Sequence, residues 1–198
     1  MLDAVRPPPR VLALHAHDFE GMFSDLRELG CALGVDSALL ERELRARIGA
    51  VTRRARGLRK KKVFCMEWLD PLFTSGHWVP EMVAMAGGVD RLAPLGKDSR
   101  RVGWAELTAY APEVLILMPC GFTMKRTKAE LGAVTSRPEW AALPAVRAGE
   151  AYLADGPSYF NGAGPRLVRG LEILAEILHP RTFRRTWRGY ERLTNAEK

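Results

Sequence analysis

The sequence predicts an α/β fold: a mainly parallel sheet with helices on both faces, preceded by a long connecting helix. Three observations predict it. Near-continuous runs of large apolar residues, VFCMEW at 63–68 and EVLILMP at 113–119, have the makeup of strands buried on both faces. These runs alternate with stretches of helical character, the pattern of βαβ units. Ahead of them, apolar residues recur at spacings of three and four from Met22 to Val51, which is one face of helix.

In chain order, a Pro-rich start leads to Val11-Leu12-Ala13-Leu14, either one short strand or an extended arm within residues 1–17. Asp18 is placed to cap a helix carrying Met22, Leu26, Leu29 and Leu33 on one face. Gly34 stops or bends it, and Asp36 can cap a continuation through Leu40, Leu44, Ile48 and Val51. Residues 18–62 are thus expected as a long connecting helix with a basic end; if 36–60 are all helical, they form a rod of about 37 Å. The α/β unit is expected over 63–180. In it VPEMVAMAGG is a helix ended by glycines, EAYLAD a third strand, and PRLVRGLEILAEILHP an amphipathic closing helix. Residues 181–198 are expected as a basic tail.

Charge supports this division. The 198 residues carry a formal +7. Residues 53–62 (RRARGLRKKK) hold seven bases and no acid, and 181–198 a net +4, so the rest of the chain sums to −4. The basic character belongs to two short segments, and the solvated end of a helix accounts for the first more simply than a nucleic-acid or membrane contact does. No apolar run approaches the roughly 18 residues of a membrane span, and no hydrophobic stretch follows the first basic residues. A cytoplasmic location is expected for the chain as given, and a periplasmic or extracellular one if a leader precedes it. Cys31, Cys65 and Cys120 are scattered and match no zinc pattern. Neither a Gly-x-Gly-x-x-Gly nor a phosphate-loop motif occurs.

Ligands of parallel sheets sit beyond the carboxyl ends of the strands. The segments there are DPLFTSGHWVPE, PCGFTMK and DGPSYFNGAGPR. Phe73, His77, Trp78, Phe122, Tyr159 and Phe160 would give a pocket at that rim flat apolar walls with few charges, which suits a large planar ligand. The same rings would equally close the end of the sheet as core. His77 is a possible axial metal ligand, although a histidine bonded within its own tight turn is the commoner case. Cys120 with His77 lacks a third, orienting group for nucleophilic catalysis. Glu67 and Asp70, three apart across a strand end, diverge too far for an acid-base pair. Trp140 reads as core. No catalytic residue and no metal site is expected.

EWLDPLFTSGHWVPEMVAMAGG, PEVLILMPCGF and AYLADGPSYFNGAGPRLVRGLEILAEILHP, in that order, resemble the second lobe of cobalamin-binding proteins, the helical-backbone class of ABC-importer substrate-binding components. LRELGCALGVDSALLERELRARI resembles the helix joining the two lobes in that family, so the likeness covers about residues 10–180. It implies one lobe of a clamp that holds cobalamin or another corrinoid non-covalently and passes it to a membrane permease. By position, Phe73, His77, Trp78, Cys120, Phe122, Ser158, Tyr159 and Phe160 would face the corrin ring or its amides, with Trp104 bordering the cleft. Glu106 resembles the acid through which such proteins dock on a permease; as plain sequence it is an acid favoured in a helix's first turn.

Two departures stand out. Gly162-Ala163 replaces the family's usual Arg-Pro, which removes a cation. About ten residues precede the connecting helix, so the first lobe is missing from this sequence, and the other wall of the clamp would come from a second copy of the chain, from a separate first lobe, or from no partner at all. The alternative reading is a lobe remnant that binds a protein or nucleic acid through its helix and basic segments, without a small ligand.

Overall fold

The computed structural model describes residues 11–184, 186 and 188–194. Its six strands among these are β1 (Lys61–Trp68), β2 (Phe73–Thr74), β3 (Gly88–Val89), β4 (Val114–Leu117), β5 (Ala151–Ala154) and β6 (Tyr190–Arg192). They form one sheet in the order β2-β1-β4-β5-β6, with β3 also on β1. β1, β4 and β5 are parallel, with Val63 opposite Val114 and Leu115 opposite Ala151. β2 and β6 are antiparallel at the edges. This is the expected mainly parallel sheet.

Every residue of β4 and β5 is buried, because both faces of the sheet are covered. Val63, Cys65, Val114, Ile116, Tyr152 and Ala154 point into one core. Their sequence neighbours Phe64, Met66, Leu115, Leu117, Ala151 and Leu153 point into the other. On the first side lie α3 (Val79–Met85) and α10 (Leu167–Leu178). On the second lie α4 (Trp104–Tyr110) and the short helices α6 (Gly132–Thr135), α7 (Pro138–Ala142) and α8 (Pro144–Arg147), with Trp140 fully buried as expected. Two further short helices, α5 (Met124–Ala129) and α9 (Gly156–Tyr159), follow β4 and β5 at the rim.

The closing helix departs from a simple amphipathic stripe. Ten of the twelve residues of α10 are buried, because it has the sheet on one side and a second helical layer on the other. That layer is α1 (Phe19–Leu33) and α2 (Ala38–Ala55). Asp18 caps α1 as expected, accepting from Gly21 N at 2.7 Å. Gly34 then takes a left-handed φ of 69°, the C-terminal stop that glycine adopts readily. The chain folds back: Arg45 reaches Glu20 while Arg27 reaches Glu41, a pairing only antiparallel helices allow. The connecting segment is therefore a helical hairpin and not one rod. α2 lies on α10 through Leu44, Val51 and Ala55, with Arg47 forking onto Glu172 at 2.9 and 3.0 Å. Leu29, Leu33 and Leu40, expected on the core face, remain exposed near the hairpin turn.

Both basic segments also differ from expectation. α2 ends at Ala55, and Lys61 and Lys62 already belong to β1, where Lys62 N donates to Glu113 Oε2 and Arg59 pairs with the same carboxylate. The cluster is thus divided between a helix end, a turn and a strand. The described residues of the expected tail, 181–184, 186 and 188–194, pack on the sheet: Phe183 and Leu193 are buried, and β6 hydrogen-bonds along β5; residues 185, 187 and 195–198 lie outside the described part. In the N-terminal arm no strand forms among residues 11–17; residues 1–10 lie outside the described part. Among the described residues no helix is long and apolar enough to cross a membrane.

Candidate functional site

β1 runs out at Glu67 and Trp68, and this carboxyl end is where a cavity of about 460 Å³ opens, lined by Glu67, Trp68, Pro71, Phe73, His77, Ser99 and Cys120. Local backbone chemistry builds it. Trp68 is 37% exposed, and its indole Nε1 donates to the carbonyl of Asp70 at 3.1 Å, which sets the ring at the edge of the turn that leads to β2. Cys120 N donates to the Glu67 carbonyl at 3.0 Å, which brings the loop after β4 beside the end of β1.

The third wall depends on Gly76. A Cβ there would lie 2.3 Å from Ser99 N and 2.6 Å from the carbonyl carbon of Asp98, so only glycine allows segments 76–77 and 97–99 to touch. Their contact is closed by His77 N donating to the Lys97 carbonyl and Gly96 N donating to the His77 carbonyl. His77 itself has φ 53°, a left-handed conformation that is uncommon outside glycine and costs strain. The tight turn expected around His77 is present, and its ring faces both the cavity and Asp98, with Nε2 3.0 Å from Asp98 Oδ1.

The cavity is mostly apolar. Its chief polar group, the half-buried Glu67 carboxyl, is pushed up from its ordinary value by burial, an effect partly offset by a hydrogen bond from Ser99. Glu67 Oε2 is buried with no partner. Burial also raises the Cys120 thiol, and Glu67 adds to the rise, so this cysteine holds its proton where a nucleophile would need to lose it. The arrangement offers ring stacking and one carboxyl anchor.

The sequence-selected residues divide. Phe73, His77 and Cys120 line the cavity. Phe122 is 4% exposed beside it, in a T-shaped contact with Trp68 (centroids 5.1 Å) and with the Arg126 guanidinium 3.6 Å from its ring centroid. Trp78 and Phe160 are corrections: both are buried in the core, and Trp78 Nε1 donates to the Phe160 carbonyl at 2.7 Å. The loop after β5 turns inward. Ser158 N donates to the Asp155 carboxylate and Tyr159 packs on the core, so neither lines this cavity. Trp104 lines a neighbouring groove of about 360 Å³ with Leu72, Arg101 and Arg137, which meets the cavity across Pro71. Glu106 is exposed and ion-paired to Arg100, which holds its carboxyl below the ordinary value.

Trp68, Pro71 and Ser99 are the lining residues that sequence reasoning passed over, and Glu67 was weighed there only as half of an acid-base pair. Trp68 carried a usable signal: it is the last residue of a buried parallel strand, followed directly by a turn. Ser99 carried none, because only the contact with Gly76 brings its loop to the rim.

Comparison with known proteins places these features in a wider group. A sequence profile described as periplasmic binding protein matches residues 7–157. An uncharacterised ABC transporter substrate-binding lipoprotein of Bacillus subtilis strain 168 is 27% identical over 178 residues, 85% of this chain and 53% of that protein. The chain thus spans about half the length of the curated relative it matches. Among solved structures, a periplasmic heme-binding protein of Pseudomonas aeruginosa superposes with TM-score 0.76 at 22% identity, covering 94% of this chain and 69% of its own. The periplasmic vitamin B12-binding protein of Vibrio cholerae gives 0.65 at 16% identity, covering 87% and 65%. A periplasmic binding protein of Veillonella parvula gives 0.70 at 23%, covering 82% and 57%. At these identities the structures testify to the fold.

Proposed function

The chain belongs to the periplasmic binding protein family, and from that premise we propose that it binds a large flat macrocycle, cobalamin or a related corrinoid, non-covalently at the rim cavity, as the substrate-binding module of an ABC import system. The observation that carries this is the pairing of an exposed Trp68 with Phe73 around a cavity of about 460 Å³ whose polar groups are few. Flat aromatic walls stack on a macrocycle face, and the Glu67 carboxyl, kept protonated more readily than usual by burial, suits an amide at the ring's periphery. Two proteins of similar structure, a heme-binding and a vitamin B12-binding protein, take ligands of this shape.

One lobe covers one face of such a ligand, so the surplus over association and ordering costs is small. A second wall, from another copy of the chain or from a separate first lobe, raises the affinity. Delivery to a permease uses Glu106, which must exchange Arg100 for a permease cation. In this role the chain works on the outer side of the cytoplasmic membrane and catalyses nothing.

The test is titration of cyanocobalamin, with hemin in parallel, while tryptophan emission is followed. Saturable quenching that disappears in Trp68→Ala is expected. A loss of emission equal to that of free N-acetyltryptophanamide, reflecting light absorption alone, overturns the reading; saturation by hemin only overturns the corrinoid assignment and leaves the cavity.

A further inference from the structure

His17, His77 and Asp98 come from three separate segments: the arm before α1, the turn after β2 and the loop held against Gly76. One ligand atom from each lies within 4.8 Å of the other two. The imidazoles stack nearly parallel, with centroids 5.1 Å apart and planes at 22°. His77 Nε2 and Asp98 Oδ1 are already 3.0 Å apart, close to the roughly 3.4 Å edge of a tetrahedron built on bonds of about 2.1 Å. The other two edges run to His17, whose ligand atom lies within 4.8 Å of both partners, so a shift of up to about 1.4 Å closes them.

We propose that His17, His77 and Asp98 bind one divalent late first-row transition-metal ion, of which zinc is the representative, with the fourth position left to water. Two imidazoles and one carboxylate are a donor set that suits these ions and disfavours magnesium or calcium, which take oxygen ligands. The site is partly prepared. Strained backbone at His77 and the glycine contact with 97–99 hold two of the three ligands before any ion arrives, which lowers the ordering cost of binding. The third ligand stands on the segment before α1, where His15 N and Ala16 N donate to the Asp25 carboxylate and Ala16 is buried. An ion would therefore fasten the arm to the rim of the cavity that His77 also lines.

The experiment is calorimetric titration of Zn²⁺ into the tag-free chain without any macrocycle, in a Cys31→Ser, Cys120→Ser background so that the exposed thiols do not contribute. One ion per chain is expected, with a rise in the thermal midpoint. His17→Gln and Asp98→Asn should each weaken binding about tenfold or more, the scale on which even outer-sphere partners act. Both side chains are exposed, so these variants keep the fold, which circular dichroism checks. Unchanged affinity in either variant, no saturation by about millimolar zinc, or binding that vanishes with the thiols overturns the site. None of these outcomes bears on macrocycle binding.

Discussion

The indole of Trp78 donates a 2.7 Å hydrogen bond to the carbonyl of Phe160, 82 positions away, with both residues buried. That bond joins the start of α3 to the end of α9 and makes Trp78 part of the frame behind the cavity. Ten residues earlier, Trp68 has the same ring in the opposite situation, 37% exposed at the lining of the cavity.

Trp78→Ala is expected to destabilise the fold by about 3–5 kcal/mol, the range for removing a buried aromatic, with the Phe160 carbonyl left unpaired besides. Chemical denaturation measures it. A loss below about 1 kcal/mol would place Trp78 outside the frame.

Trp68→Ala should cost little more than its edge contact with Phe122, about 0.5–1.5 kcal/mol, while abolishing saturable quenching by cyanocobalamin. The contrast between the two tryptophans, one affecting stability and the other ligand, is read by running both assays on both variants.

Gly170 lies within α10, where alanine ordinarily improves a helix by roughly 1 kcal/mol. Here a Cβ would stand 2.3 Å from the Tyr159 carbonyl and 2.8 Å from the tip of Met82. Gly170→Ala is therefore expected to destabilise by about 1–3 kcal/mol, a reversal of sign that a thermal melt detects.

Asp90 is pushed up from 3.8 to about 6 by burial, against hydrogen bonds from the backbone of Leu92, Ala93 and Cys65. The folded chain holds this proton more tightly than the unfolded one. The group's stabilising contribution is thus fully present below about pH 4 and lost as pH rises to about 6, by an amount on the order of 3 kcal/mol. Asp90→Asn retains the acceptor used by Leu92 and Ala93 and removes the titration. Its stability relative to the native chain should rise between pH 4 and 6 and level off above; a pH-independent difference would contradict this.

Much of the fold was legible in the sequence. β1, β4 and β5 follow the apolar runs, Asp18 caps α1, Gly34 ends it and α10 forms where a helix is expected, because composition and local backbone preference act over a few residues; the unit itself closes only with β6 beyond α10. The rim as the place of the cavity also follows from chain direction in a parallel sheet.

Tertiary structure alone decided which aromatic residues face outward. A strand buried on both sides has no polar alternation to mark its faces, and an apolar ring fits a core or a cavity equally well. Trp78 went inside because the Phe160 carbonyl was there to receive its N–H, and Trp68 stayed at the rim because the chain turns away directly beyond it. The reversal of α1 on α2, the pairing of β6 with β5 and the meeting of His17, His77 and Asp98 are of the same kind. Each is a contact between distant segments, decided by what the rest of the chain leaves uncovered.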